Sequence, residues 1–197
     1  MTTPEIPTIP GTPVEGGFYA GRIRVGADLF ALIVAPKAEG ESTGAWGQKA
    51  KGVPGAASYF DGRANTLAMA EAGSKIAQWA LHLAIGGHGD WYIPSRDELE
   101  LLYRHFKPTA ETNYTWRSGD NPSSVPAGYP YTAHLPWQTD VTVFREGGEA
   151  LDDVWYWAST QSSPYLAWVQ GFDVGLQSRS GKSFEGRVRA VRRFLIT

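Results

Sequence analysis

The chain has 197 residues, with 18 lysines and arginines against 20 aspartates and glutamates, and no cysteine. A net charge of −2 gives no whole-chain electrostatic footprint for nucleic acid or an anionic membrane. The missing thiols exclude disulfides, thiolate catalysis and Cys-ligated zinc.

The hydrophobic content of 42% suffices for one domain's core, and 8 Trp, 9 Tyr and 8 Phe supply aromatic area of the kind used in cores and at interfaces. The N-terminus carries neither a basic region nor an apolar leader, and no apolar run is long enough to span a bilayer. Synthesis in a cytoplasm without membrane insertion is expected.

Residues 1–16 place prolines at positions 4, 7, 10 and 13. That period suits a polyproline-like arm, which is either a disordered tail or a segment that docks onto a partner. The domain proper is expected over 17–197. Phe18–Val25 and Leu29–Ala35 flank Gly26-Ala27-Asp28 and predict a hairpin. Asn65 is placed to cap a helix in which Leu67, Ala70, Ile76, Ala77, Ala80, Leu81 and Ala84 recur at helical spacing up to Gly86-Gly87. Ser95-Arg96-Asp97-Glu98 reads as a capping box, and Leu99, Leu102, Tyr103 and Phe106 continue it as an amphipathic helix ending before Pro108.

From 109 to 153 periodicity is lost, yet Tyr114, Trp116, Tyr129, Tyr131, Trp137 and Phe144 are poor residues for disorder. A long ordered loop is expected, with short strands around Val141–Arg145. Three strands follow, Trp155–Thr160, Tyr165–Gly175 and Arg187–Phe194, the last two joined by a polar loop over Gln177–Ser183. The whole predicts an α+β fold in which two helices flank one side of an antiparallel sheet, with Leu29–Ala35 paired to the C-terminal strand near Arg187–Phe194 and the 109–153 loops at the far side.

Asp90–Tyr103 (DWYIPSRDELELLY), Tyr156–Thr160 (YWAST), Ala167-Trp168 and Arg187–Arg193 (RVRAVRR), in that order, resemble the Lcl C-terminal-like domain over roughly Gly17 to Phe194. The resemblance implies a fold similar to that of C-type lectins. Ala31–Glu41 and Arg117–Pro126 look most like the phage-encoded branch, which implies a virion protein near the tail tip or fibres. Its partners would be other virion proteins, reached through the N-terminal arm, and a host cell-surface glycan or protein. Fibre-type architecture implies a homotrimer. In lectin-type folds the sheet edge and its loops form the ligand face, so the resemblance favours Gln161, Ser162 and Tyr165 for binding and places Trp157 in the core.

The polar stretch adds Gln177, Arg179 and Lys182, unless it is merely a solvated hairpin loop. Tyr129, Tyr131 and Trp137 of the long loop would stack on sugar faces. Together these nine residues form the expected ligand site. The four C-terminal arginines are read as structural ion pairs rather than a nucleic-acid patch.

No enzyme is expected. There is no Gly-x-Ser-x-Gly elbow or phosphate loop, Asp152 and Asp153 point different ways on a strand rather than opposing each other, and a formylglycine-type oxidase needs cysteines. No cofactor is expected either. Calcium is the single one left open, although the Asx-rich loop of a calcium hand and the Glu-Pro-Asn and Trp-Asn-Asp signatures of calcium-dependent lectins are missing.

Overall fold

The computed structural model describes residues 5–145 and 147–196. It is α+β, with two sheets and five short helices. The predicted hairpin is present as β2 (Gly17–Val25) and β3 (Asp28–Val34), joined by a two-residue turn. Gly26 takes φ +63° there, the left-handed value that the first position of such a turn requires. β1 (Pro13–Val14) pairs with β2, and β9 (Val191–Ile196) pairs antiparallel with β3, Leu29 opposite Ile196 and Val34 opposite Val191. The first sheet therefore has the order β1-β2-β3-β9.

α1 (Lys37–Gly40) leads into β4 (Glu41–Ala45). The long helix expected up to Gly86 is two helices, α2 (Gly62–Glu71) and α3 (Lys75–Leu81). Gly73 at φ +93° breaks the helix, and the Ser74 side chain caps the new start. Asp61, not Asn65, caps α2. Asn65 is buried inside that helix, where its amide exchanges hydrogen bonds with the Ser58 backbone at 3.0 and 2.7 Å.

α4 (Arg96–Phe106) has the predicted capping box, with the Ser95 and Glu98 side chains each accepting from the other's backbone N–H. The stretch expected as strands near Val141 is instead a single helical turn, α5 (Thr142–Arg145), which buries Phe144 against Phe18 and Phe106.

β5 (Trp155–Gln161), β6 (Leu166–Gly171), β7 (Gln177–Gly181) and β8 (Glu185–Arg189) complete the second sheet, of order β4-β8-β5-β6-β7. Two expectations are corrected here. The polar Gln177–Ser183 loop is largely a strand, paired with β6 from Gln170–Gln177 to Leu166–Gly181. The predicted strand Arg187–Phe194 is split at Ala190, so β8 joins β4 and β5 while β9 joins the first sheet. β5 and β8 run parallel, which makes the second sheet mixed rather than antiparallel.

Side chains alternate between sheet faces, and neighbouring residues of β5 divide the core accordingly. Tyr156 and Ala158 pack with α4 residues Leu99, Leu102, Tyr103 and Phe106. Trp157 points the other way, into a cluster with Met69, Ile76 and Ala77 of α2 and α3. The helices thus cover both faces of this sheet rather than one side. A third cluster, with Tyr19, Ile33 and Trp91, lies behind the first sheet and receives Ile6 and Val14 from the N-terminal segment. Residues 5–16 accordingly lie against the domain, and Glu15 reaches His88 at 3.1 Å.

The long connection from 109 to 153 is held by buried polar side chains. Asn113 accepts from the Tyr103 hydroxyl (2.7 Å) and Lys107 Nζ (2.8 Å) and donates to the carbonyls of Thr132 and Pro136. Asn121 donates to the Asp97 carbonyl at 2.8 Å. Residues 123–125 bond to the outer edge of β2, with Arg24 N–H on Ser123 O at 2.7 Å and Val125 N–H on Arg22 O at 2.9 Å. This connection therefore lies along the first sheet, not at the far side from it.

The C-terminal arginines make the expected ion pairs. Arg187 and Arg189 share Glu41 (2.8 and 3.0 Å), Arg192 pairs with Asp90 (2.7 Å), and Arg193 pairs with Asp61 (2.9 Å) and Glu98 (3.4 Å).

Glu98→Ala removes one acceptor shared by Gly62 N–H, Ser95 N–H, the Tyr92 hydroxyl and Arg193. Denaturant unfolding should show a loss of about 3–5 kcal/mol, the cost of breaking a buried charge pair. Arg179→Ala on the exposed face of β7 should stay within about 0.5 kcal/mol of wild type. Trp157→Ala, which empties the second cluster, should cost roughly 3–5 kcal/mol in the same assay.

Candidate functional site

The nine expected site residues do not converge on one ligand. At the turn between β5 and β6, Ser162 and Tyr165 are exposed, whereas Gln161 is committed internally. Its Oε1 accepts from Val53 N–H and from Lys182 Nζ, both at 2.7 Å. Lys182 is fully buried; its ammonium donates to the Lys51 carbonyl at 2.9 Å and stands 4.4 Å from the Trp46 ring centre. Burial without a carboxylate partner lowers its pKa to about 8.

Gln177 lies at the opposite end of β7 and is buried. Its side-chain oxygen accepts from Arg96 Nη2 (3.2 Å) and Gly119 N–H (3.1 Å), fixing the long loop to the sheet. Tyr131 is also buried, its hydroxyl donating to Glu100 at 2.8 Å and accepting from Gln170 at 3.1 Å. Gln161, Gln177, Lys182 and Tyr131 are therefore corrected from ligand contacts to internal ones. Each is a polar group whose hydrogen bonds are already satisfied inside the protein.

Tyr129 and Trp137 are exposed, as expected, and line a groove of about 460 Å³ beside the C-terminal half of α4. The Arg104 guanidinium stacks over Tyr129 at 4.5 Å, and Trp137 stacks on His134 at 5.5 Å. His105 also borders this groove. Burial lowers its pKa, and its Nδ1 is held 2.6 Å from the Ala20 carbonyl, so it presents a neutral imidazole.

Arg179 is exposed on β7, its guanidinium 5.3 Å from the ring of Trp168, the residue directly opposite on β6. It also borders a second groove of about 290 Å³ across the open part of the second sheet. Trp155, 45% exposed, and Phe184, 65% exposed, stand in this groove together with Ser178, Ser180 and Glu185, over the indole of Trp157.

Sequence reasoning missed Trp155 and Phe184. One signal was available for Phe184, a lone aromatic within the polar run Gly181-Lys182-Ser183-Phe184-Glu185-Gly186. Trp155 shares its face with core Trp157, and only the extent of helix coverage separates the two.

This groove combines apolar walls, two hydroxyls and a carboxylate on rigid strands, an arrangement that can stack and hydrogen-bond a polyhydroxylated ligand. Among the described residues, no group of three or more His, Cys, Asp or Glu is placed to hold a metal ion, and no helix is long and apolar enough to cross a membrane.

Residues 41–192 match the Lcl C-terminal domain family. The chain belongs to that family. The matched span takes in all of the second sheet, the four helices that follow α1, and β9 as far as Arg192; it includes the whole Trp155–Phe184 groove and all of the groove beside α4 except Ile9 and Pro10. No curated protein shows significant similarity to the chain.

The buried Lys182 gives a pH signature. The folded protein releases this proton near pH 8, while the unfolded chain holds it to about the ordinary 10.5. Between those values the unfolded state binds more protons, so stability rises with pH across the window. Unfolding free energies of wild type and Lys182→Met, measured from pH 7 to 10.5, should show wild type gaining on the variant above pH 8.

Proposed function

We propose that this Lcl C-terminal domain protein is a non-enzymatic recognition module with a C-type-lectin-like fold, binding a glycan or glycosylated receptor in the groove between Trp155 and Phe184. The observation that carries the reading is this pair of solvent-exposed aromatic rings flanking Ser178, Ser180 and Glu185 on a sheet braced from behind by packed helices. Such rings lose little conformational freedom on binding and cover the apolar faces of sugars. Ser162 and Tyr165, exposed at the nearby β5–β6 turn, extend the surface available to a longer chain of sugars.

The virion setting, near a tail tip or fibre and in a homotrimer with other virion proteins and a host-surface receptor as partners, is part of the same proposal. It rests on the resemblance of Ala31–Glu41 and Arg117–Pro126 to phage-encoded sequences. No catalytic cofactor or calcium takes part in this reading. A second reading, a purely structural virion subunit, is favoured by one observation. Ile9, Leu135 and Trp137 expose apolar surface around the larger groove beside α4, of the kind that subunit contacts cover.

Binding to a panel of bacterial surface polysaccharides and neutral oligosaccharides, followed by saturation-transfer NMR, tests the first reading. Trp155→Ala and Phe184→Ala should each weaken binding by about 1 kcal/mol or more, with unfolding midpoints close to wild type. If both variants bind as wild type does, or nothing in the panel binds, the structural reading takes its place.

A further inference from the structure

β7 stands at the edge of the second sheet, with β6 on one side and, among the described residues, no strand on the other. Its bonding to β6 can be followed residue by residue. Lys182 N–H bonds to Tyr165 O at 3.0 Å and Gly171 N–H bonds to Leu176 O at 3.0 Å. With Val169 opposite Ser178 and Ala167 opposite Ser180, the inward-bonding residues are 176, 178, 180 and 182. Residues 177, 179 and 181 therefore turn their backbone groups outward.

Two of these outward groups are already used. Gln177 N–H reaches Ser118 Oγ at 3.4 Å, and Gly181 O accepts from Phe184 N–H at 2.9 Å. Gln177 O, Arg179 N–H, Arg179 O and Gly181 N–H remain, and among the described residues none bonds to them.

Like charges directly opposite each other destabilise a strand pair. A second copy of β7 added antiparallel about Arg179 would set Arg179 against Arg179, so the edge is ill suited to self-pairing. Two further arginines stand near Arg179. Arg96 lies beside the same Trp168 ring at 5.1 Å, with Asp97 as its own partner at 2.9 Å, and Arg117 precedes the Ser118 that caps Gln177.

We infer that the β7 edge is a docking site for an extended segment of a partner protein, added as a sixth strand, with a carboxylate side chain opposite Arg179. The main-chain bonds at 179 and 181 would supply the attachment, and the Arg179–carboxylate pair would select the partner. The interaction is distinct from the sugar-binding reading, because it uses the outward backbone groups of the strand's edge rather than the groove on its face, although Arg179 borders both.

The test uses the full chain and two short capped peptides of alternating threonine and valine, one with a central glutamate and one with a central lysine. The glutamate peptide should slow amide hydrogen exchange at Arg179 and Gly181 by about tenfold or more, and the lysine peptide should do so far less. Arg179→Pro removes the outward N–H while leaving the inward ladder, a position where an edge strand tolerates proline, and it should abolish the protection. Arg179→Glu keeps the backbone donor and should reverse the preference between the peptides.

Absence of protection at Arg179 and Gly181, equal binding of both peptides, or undiminished binding by Arg179→Pro would each overturn the inference. Dimerisation of the free protein through this edge, lost in Arg179→Pro, would overturn the choice of occupant. An oligosaccharide bound in the Trp155–Phe184 groove, which Arg179 borders but Gly181 does not, should leave exchange at Gly181 unchanged, so either reading can fail without the other.

Discussion

A single buried carboxylate, Glu98, joins more of this structure than any apolar contact does. It closes the start of α4 through Ser95, accepts the first N–H of α2 from Gly62 and a hydrogen bond from the Tyr92 hydroxyl, and faces Arg193 of β9. Burial pushes its pKa up, and Arg193 opposes that shift. A charge in such surroundings is tolerable only while its hydrogen bonds are made, so the two helices, the segment around Tyr92 and the first sheet are held in one mutual arrangement. The position of α4 follows from this, and with it everything that hangs on α4.

What hangs there is the connection from 109 to 153. It has almost no repetitive structure, and its order comes from polar groups that do the work of a core. Lys107 and Asn113 hold its first part, Asn121 and Tyr131 reach the flank of α4, and Arg104 bonds to the carbonyls of Gly119 and Tyr129. Gly119 sits at φ +90° under the Tyr131 ring, where a β-carbon would collide with it. The loop is consequently rigid along its inner side and exposes Trp116, Tyr129 and Trp137 along its outer side.

Features governed by neighbours in sequence were legible without coordinates. The β2–β3 hairpin, the Ser95–Glu98 cap and the pairing of β3 with the C-terminal strand all followed from local pattern and from the closing position of the last strand. Features governed by distant partners were not. Gln177-Ser178-Arg179-Ser180-Gly181 has no β-branched or aromatic residue to mark it as a strand, and it is one because Trp168 and Val169 present a complementary edge. Gln161, Gln177, Tyr131 and Lys182 resemble ligand contacts by residue type alone. Their role inside the domain depends on loops that fold over them from up to 131 residues away in sequence. The break at Gly73-Ser74 was written in the chain as a C-terminal glycine followed by a capping serine, yet the apolar spacing runs through it and masks it.

Arg189 ends β8 in one sheet and Val191 begins β9 in the other, with Ala190 alone between them. A strand commonly guards its alignment only through its own side-chain pattern, and a slip by one residue turns every side chain to the wrong face. Here a slip in either sheet would drag the neighbouring strand with it and would pull Arg187 and Arg189 from Glu41 and Arg192 from Asp90 together. The one-residue link acts as a vernier between the sheets: alignment chosen in one is transmitted to the other, so a misaligned intermediate carries errors in both and has no locally satisfied half in which to rest.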